Sequence, residues 1–378
     1  MARRICPICL APLDPKAVLW RDPEGNAAAG PPARLRTLDR LRAKLRNEPD
    51  TTAMAWADWY AHGFRAYCPV HLGELPEDLF TRDLVIIGLV GESGSSKTHY
   101  LAALLHQLSS GALAPYDVIV NFDPATVTRY QTEHFRRLFV DHEVIPASRP
   151  LLWRDGQKEV RLPMTVVLRN WRTGKSVNVC IFDAAGEQLL SMQEQSTWAR
   201  HLAVADGLLF FVDPTVLPGV RRRLGDLGGG QTLHVTESVL DVTATLVRHA
   251  KSLSADDDIS QVPAALLLSK ADLLTGAEDF PADVLADLDH PDAAPYRLAN
   301  RLQQDSEAVE QFMVDNGGRN LVSSAVYKFP GIMFHAVSAT GYAAVDGVYP
   351  ALAPKRTLEP FLLLLSRTGV IEMGRDHG

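Results

Sequence analysis

Short, continuous apolar runs recur along the second part of the chain, with polar or periodic stretches between them. Runs of this kind predict strands that are buried on both faces, as in a parallel sheet. The predicted strands are residues 84–90, 206–212, 262–268 and 330–336. The segments 164–171 and 176–182 are also strand-like, and Arg172-Thr173-Gly174-Lys175 between them predicts a hairpin turn.

Apolar residues at helical spacing follow the first predicted strand and recur between the later ones. They predict a helix that begins after residue 98, and further helices at residues 128–140, 236–253 and 358–366. Residues 116–123 predict a short extra strand, and residues 116–150 are interpreted as an insert. Residues 218–231, which include Arg221, Arg222 and Arg223, predict a mobile glycine- and arginine-rich loop.

A glycine-rich loop lies between the first strand and the first helix. Its residues are Gly91, Glu92, Ser93, Gly94, Ser95, Ser96, Lys97 and Thr98. Strand, loop and helix in this order are the context of a phosphate-binding loop, in which backbone N–H groups and the helix N-terminus bind phosphate. We expect Lys97 to reach the β- and γ-phosphates and the Thr98 hydroxyl to ligate Mg²⁺. The alternative is a glycine-rich turn that binds nothing.

One position departs from the usual pattern, GxxxxGK[ST]. Ser96 stands where that pattern has its second glycine. If the backbone there needs a positive φ, a serine is strained.

An acidic residue ends the second strand of the hairpin. Asp183 begins the sequence Asp-Ala-Ala-Gly-Glu, with Gly186 three residues later and Glu187 next. We expect Asp183 to hold Mg²⁺ through water and the Gly186 N–H to bond the γ-phosphate, so that the pair senses whether that phosphate is present.

Two further motifs follow later strands. Ser269-Lys270-Ala271-Asp272 follows the strand at 262–268, and Ser338-Ala339-Thr340 follows the strand at 330–336. The Asp272 carboxylate can accept hydrogen bonds from N1–H and N2–H₂ of guanine, a pair that adenine does not offer. Lys270 would pack its stem over the base, and a backbone N–H of the second motif would bond the guanine O6. These residues predict GTP or GDP as the ligand.

In this order the four motifs resemble those of the TRAFAC class of P-loop GTPases, in the branch of translation factors and small GTPases. The resemblance runs from Gly91 to Thr340. It implies an α/β fold: a doubly wound, mostly parallel P-loop NTPase sheet with one antiparallel strand. It also implies GTP hydrolysis with Mg²⁺, with Lys97, Gly186 and Glu187 at the γ-phosphate.

The first switch of this class carries a threonine shortly before the hairpin. Thr165 stands in the corresponding place, and Thr126 and Thr128 are its rivals. The position after the DxxG glycine often holds a glutamine that orients water. Here it is Glu187, so we expect slow intrinsic hydrolysis.

The N-terminal region carries two cysteine-containing pairs. Cys6 and Cys9 are separated by two residues, and so are Cys68 and His71. Together they provide four ligands, enough for a closed, structural Zn²⁺ site. The alternative is two unrelated pairs with buried thiols. A zinc-ribbon-like N-terminus joined to this GTPase region looks most like the bacterial double-GTPase families of conflict systems, which implies a partner protein such as a second GTPase or an effector.

The predicted organisation is a zinc-knuckle domain at 1–75, a linker at 76–83 and the GTPase domain at 84–378. Residues 33–47 predict a basic helix inside the first domain. That helix is either a solvated face or a docking surface for an acidic partner or nucleic acid. The aromatic residues Trp56, Trp59, Tyr60, Phe64 and Tyr67 follow it and are interpreted as a small core.

Composition narrows the function classes further. The chain has 378 residues and a formal net charge of −7, which disfavours nucleic acid as the main partner. No apolar run is long enough to span a membrane. The N-terminus does not resemble a signal peptide, and four cysteines do not make a disulfide scaffold. We therefore expect a cytoplasmic GTPase switch without membrane contact, the alternatives being a non-hydrolysing GTP-binding scaffold and a zinc-ribbon nucleic-acid binder.

Overall fold

The described part of the chain forms two compact units. The computed structural model describes residues 5–14, 16–28, 56, 58–79, 82–146, 163–185, 202, 204–225, 232–250, 262–288, 295–367 and 371. The first unit holds the described residues of Met1–Leu84 together with Ser176–Asn178. The second holds those of Val85–Pro150, Pro163–Lys175 and Val179–Gly378. The predicted basic helix at 33–47 lies outside the described residues, as do Gly186 and Glu187.

The first unit is built on a small antiparallel sheet with the strand order β2-β1-β3. Its strands are β1 (Leu19–Arg21), β2 (Ala27–Ala28) and β3 (Arg65–Tyr67). Trp20 of β1 points inward and contacts Trp56 edge to face, with ring centroids 4.6 Å apart. Trp56 and Tyr60 are buried in one cluster with Cys6, Cys9 and Cys68, so these aromatic residues form the predicted small core.

A seven-stranded sheet with the order β10-β9-β8-β4-β7-β6-β5 has most of its residues in the second unit. The strands are β4 (Asp83–Gly91), β5 (Val118–Phe122), β6 (Met164–Asn170), β7 (Ser176–Ala185), β8 (Gly207–Val212), β9 (Ala264–Leu268) and β10 (Met333–Ala336). The pairs β4–β8, β8–β9 and β9–β10 are parallel, whereas β5 and β6 are antiparallel. This mixed, mostly parallel sheet confirms the predicted fold class.

The central strands are apolar because both of their faces are covered. Every residue of β8 and of β9 is buried, and so is every residue of β4 after Asp83. Uninterrupted apolar sequence is typical of strands in this position, which explains why they were predictable. At the carboxyl ends of these strands stand the phosphate loop, Asp213 and the Ser269–Asp272 motif.

Helices lie between the strands. They are α1 (Lys97–Ser109), α2 (Pro124–Arg129, continued by a π-helix at Tyr130–Val140), α3 (Pro218–Leu224), α4 (Leu233–Ala250), α5 (Pro295–Met313), α6 (Arg319–Lys328) and α7 (Glu359–Arg367). Within the ranges that the structure describes, no helix is both long and apolar enough to cross a lipid bilayer.

Two regions differ from the sequence prediction. The prediction of a mobile loop at 218–231 is wrong over Pro218–Leu224, which is helical. Pro218 suits the first helical position because its fixed φ matches the helix and its missing N–H is not needed there. The helices α5 and α6 were not predicted, although Leu298, Leu302 and Val309 of α5 are spaced for one buried helix face.

Candidate functional site

The phosphate loop connects β4 to α1 and encloses the ammonium group of Lys97. Lys97 Nζ donates to the backbone carbonyl of Gly91 at 2.7 Å and to that of Glu92 at 2.6 Å. It also lies 3.2 Å from Ser95 Oγ, and the side chain is buried. A buried ammonium whose bonds go to loop carbonyls provides a cation at the start of α1, where the helix N-terminus also favours anions.

The loop backbone is tight at two places. A Cβ on Gly91 would lie 2.7 Å from the Phe211 carbonyl oxygen, so a larger residue there requires β4 and β8 to move. Ser96 has φ 64° and ψ 16°, a left-handed conformation. This conformation costs a non-glycine residue about 1–2 kcal/mol. The strain expected for a serine in this position is therefore present.

Thr98 and Asp183 meet beside the loop, although they are far apart in sequence. Thr98 Oγ1 donates to Asp183 Oδ2 at 3.2 Å. A hydroxyl and a carboxylate are hard oxygen ligands of the kind that Mg²⁺ prefers, directly or through water. The two side chains that were predicted for magnesium are therefore in contact and fit that ion.

The two predicted guanine-binding motifs are also joined. Ser338 Oγ donates to Asp272 Oδ1 at 2.5 Å and accepts from the Gly341 N–H at 2.8 Å. Ser338 is fully buried, and its backbone exchanges hydrogen bonds with Lys355. Thr340 is buried as well, and its hydroxyl donates to the Tyr342 carbonyl. Ser338 thereby fixes the orientation of the Asp272 carboxylate.

Asp213 is a residue of the site that sequence reasoning did not identify. It follows β8 directly, and its Oδ2 accepts a hydrogen bond from Lys270 Nζ at 2.7 Å. Lys270 itself has a left-handed backbone, with φ 49° and ψ 35°. The available signal was an acid at the carboxyl end of a buried strand, the same position that drew attention to Asp183.

Glu92 links the phosphate loop to helix α4. Its Oε1 accepts a hydrogen bond from Thr236 Oγ1 at 2.5 Å, and the glutamate is buried. Nothing in the sequence pairs these residues, which are separated by 144 positions.

His99 follows Thr98, and its surroundings favour its neutral form. Burial, and then electrostatic interactions with Lys270 and His134, lower the pKa of His99 to about 4. Its Nε2 accepts the backbone N–H of Ile145 at 3.1 Å, a role that requires an unprotonated nitrogen. The first turn of α1 is thereby bonded to the segment that follows the π-helix.

The three threonines considered for the first switch lie in different settings. Thr165 Oγ1 lies 3.6 Å from the Sγ of Cys180, a fully buried residue of β7, so this hydroxyl contacts a buried side chain of another strand. The Thr165 N–H donates to the buried Thr126 hydroxyl at 2.8 Å. Thr128 donates to the Pro124 carbonyl within α2. None of these hydrogen bonds places one of the three threonines beside Thr98. The role of Thr165 in the first switch remains a prediction.

Two of the three consecutive arginines of α3, at 221–223, have specific partners outside that helix. Arg221 Nε donates to the Thr215 carbonyl at 2.9 Å, and Arg223 donates to Asp279 and Asn316. Arg222 is exposed. The guanidinium groups of Arg221 and Arg223 are therefore engaged in contacts within the chain.

The first unit contains a cluster of metal-ligating side chains. Cys6, Cys9, Cys68 and His71 are buried, and their ligand atoms all lie within 4.8 Å of one another. Cys6 Sγ lies 3.6 Å from His71 Nδ1, and Cys9 Sγ lies 3.6 Å from Cys68 Sγ. Three thiols and an imidazole at this spacing fit a tetrahedral Zn²⁺ ion.

The local backbone and the protonation of this cluster favour a metal as well. The N–H of Ile8 points at Cys6 Sγ and that of Val70 at Cys68 Sγ, each at 3.4 Å. Hydrogen bonding between the two thiols lowers the pKa of Cys68 and raises the pKa of Cys6. Of the two, Cys68 is therefore favoured as the thiolate, which is the form of cysteine that binds metal.

Comparison with known proteins identifies a matching protein family. A family model described as Double-GTPase 2 matches residues 85–294, more than half of the chain. A putative ESX-1 scaffolding and assembly protein, SaeC of Mycolicibacterium smegmatis, is 27% identical over 297 residues, which cover 72% of this chain and 71% of that protein. The crystal structure of the S. cerevisiae Ski7 GTPase-like domain bound to GTP is similar with a TM-score of 0.34 and 14% identity. That match covers 76% of this chain and about half of the other, 51%.

Proposed function

Because the chain belongs to the Double-GTPase 2 family, we propose that it binds GTP with Mg²⁺ and hydrolyses it to GDP and phosphate. It acts as a regulatory switch that signals to a partner protein, either a second GTPase or an effector. The proposal rests on one observation: four motifs that are separate in the sequence are joined in pairs by two side-chain contacts. These contacts are Thr98–Asp183 on the magnesium side and Asp272–Ser338 on the guanine side.

Each residue has a physical role in this reaction. Lys97, whose ammonium now bonds loop carbonyls, binds phosphate oxygens and offsets charge that develops on them. Thr98 and Asp183 hold Mg²⁺, which when bound neutralises charge on the β- and γ-phosphates. Gly186 donates its N–H to the γ-phosphate, and Asp272 selects guanine.

Hydrolysis by the isolated protein is slow. Glu187 stands where a water-orienting glutamine is common, and a carboxylate brings negative charge toward an anionic centre. An arginine that a partner supplies is worth about 10³–10⁵ in rate. A chain without such an arginine therefore turns over slowly until the partner binds.

Single-turnover hydrolysis of GTP tests this proposal. We expect a rate far below 1 s⁻¹, the order of magnitude of assisted GTPases, and a faster rate for Glu187→Gln. Arg222→Ala tests for a cation supplied within the chain, with Arg223→Ala as the matched control. Fast hydrolysis by the wild type would contradict partner dependence. Complete absence of hydrolysis with every partner tried would contradict the enzyme assignment.

The N-terminal cluster holds one Zn²⁺ ion with a structural role. Its four ligands fill a tetrahedral site and leave no position for substrate. Metal binding therefore stabilises the first unit, and nucleotide binding by the second unit is largely independent of it. Titration of GDP before and after chelation of the metal tests this independence.

A GTP-binding scaffold that does not hydrolyse is the second candidate. The description of the M. smegmatis relative, a putative scaffolding and assembly protein, favours it, and so does Glu187. Turnover separates the two candidates, because a scaffold binds GTP with the same guanine preference and forms no GDP.

A further inference from the structure

The ammonium group of Lys270 is fixed by a carboxylate outside its own motif. Lys270 Nζ and Asp213 Oδ2 are 2.7 Å apart. The Asp213 side chain is only 7% exposed and that of Lys270 34% exposed, so the pair is partly shielded from water. The two residues are 57 positions apart in sequence and meet at the carboxyl ends of the adjacent strands β8 and β9.

The carboxylate is itself held in one orientation. Asp213 Oδ1 accepts the Thr215 N–H at 2.9 Å and the Thr215 hydroxyl at 2.7 Å, which directs Oδ2 to the lysine. These bonds cap a short 3₁₀ helix, Pro214–Val216. Arg221 of α3 bonds the Thr215 carbonyl and braces the same turn. Asp213 is therefore a preorganised acceptor.

The backbone of Lys270 is constrained as well. Its left-handed φ of 49° is costly for a lysine and persists only where the surroundings impose it. On one side, the Ser269 N–H and hydroxyl both donate to the Val212 carbonyl. On the other side, the Ala271 N–H donates to the Val337 carbonyl. Both ends of the lysine, its Cα and its ammonium, are thus held, which restricts the conformations open to the methylene stem.

We propose that Asp213 is a positioning residue for nucleotide binding: by holding the ammonium group of Lys270, it fixes the lysine stem as a rigid apolar surface for the guanine ring. Thr215 supports this role by orienting the carboxylate. The inference rests on the proposed function, since it assumes that Lys270 packs on guanine. It assigns affinity for the base to a residue outside the four motifs.

A double-mutant cycle on the full-length protein tests the inference, with GDP affinity measured by calorimetry. The single variants are Asp213→Asn and Lys270→Met, where methionine keeps an unbranched stem without the charge. We expect Asp213→Asn to weaken GDP binding roughly threefold to tenfold. This range lies between the effect of losing an exposed ion pair and that of losing a shielded, charge-assisted hydrogen bond. In the Lys270→Met background the same change should have no further effect.

Further measurements separate positioning from a general structural role. Affinity for inorganic triphosphate, which lacks a base, should be unchanged in Asp213→Asn. Asp279→Asn is the matched control, because it removes a carboxylate from another cation, Arg223, and neither residue belongs to the four motifs. Its GDP affinity should stay within about twofold of wild type, the usual range for a surface pair. If Asp213→Asn does not fold, Thr215→Val serves in its place, with a smaller loss of affinity expected.

An equal loss of GDP affinity in the wild-type and Lys270→Met backgrounds would overturn the inference, as would an equal loss of triphosphate affinity or no loss at all. A wild-type protein that binds neither GDP nor GTP would overturn the proposed function itself, and with it this inference. Because it is measured on the wild type alone, that result can be distinguished from every result obtained with a variant.

Discussion

Exchange of Asp272 for asparagine is the most direct test of guanine recognition. In the structure the carboxylate accepts the Ser338 hydroxyl at 2.5 Å. An ionised carboxylate has about four lone-pair positions, so three remain for a ligand. Asparagine has a single acceptor oxygen and an amide that donates only.

The expected loss of GDP affinity follows from the direction in which the asparagine amide must point. If the asparagine oxygen keeps the bonds to Ser338 and to guanine N1–H, its amide faces the 2-amino group of guanine, donor against donor. If the side chain is reversed, the amide faces N1–H instead. Either arrangement loses at least one charge-assisted hydrogen bond, which costs about 1.5–3 kcal/mol and weakens GDP binding about tenfold to hundredfold. Xanthine has a carbonyl in place of the 2-amino group, so Asp272→Asn should bind XDP better than the wild type does.

Calorimetric titration of wild type and Asp272→Asn with GDP, XDP and ADP measures these preferences. Ser338→Ala is the companion variant: it removes the bond that orients the carboxylate but leaves all of its acceptors. We expect a smaller loss of GDP affinity for that variant, and no gain for XDP. Unchanged GDP affinity in Asp272→Asn, or a wild type that prefers ADP, would refute the assignment of this motif.

Three further changes probe stability and the metal. Ser96→Gly should raise the free energy of unfolding by about 0.5–1 kcal/mol, because relief of left-handed strain exceeds the extra unfolded-state entropy of glycine; denaturation that gives no gain would contradict the strain. Cys68→Ser should lower the zinc content, measured by elemental analysis, and undiminished zinc would disprove the four-ligand site. Burial lowers the pKa of His335 to about 3, so the unfolded state takes up its proton first as the pH falls below 6.5. Between pH 7 and pH 5 the wild type should therefore lose about 2 kcal/mol more stability than His335→Gln, and parallel pH profiles in urea denaturation would exclude this.

Features that are set by residues adjacent in the sequence were predictable from it. The strands β4, β8 and β9 are covered on both faces and had to be apolar throughout, so each is visible as an uninterrupted run. The phosphate loop is contiguous, and its departure at Ser96 correctly indicated strain. Helix α5 was missed because its mostly polar sequence shows only a narrow apolar stripe.

The contacts that join distant residues were decided by the tertiary structure. Thr98 meets Asp183, and Lys270 meets Asp213, because they lie at or shortly after the carboxyl-terminal residues of β4, β7, β8 and β9, which are neighbours in the sheet. The sequence identified three of these four residues as chemistry-bearing but could not show their distances. Asp213 was missed although it follows a buried strand, because the role of an acid in that position depends on the side chain that it contacts. Local sequence therefore determined the strands and the loop, whereas the order of strands in the sheet decided which side chains act together.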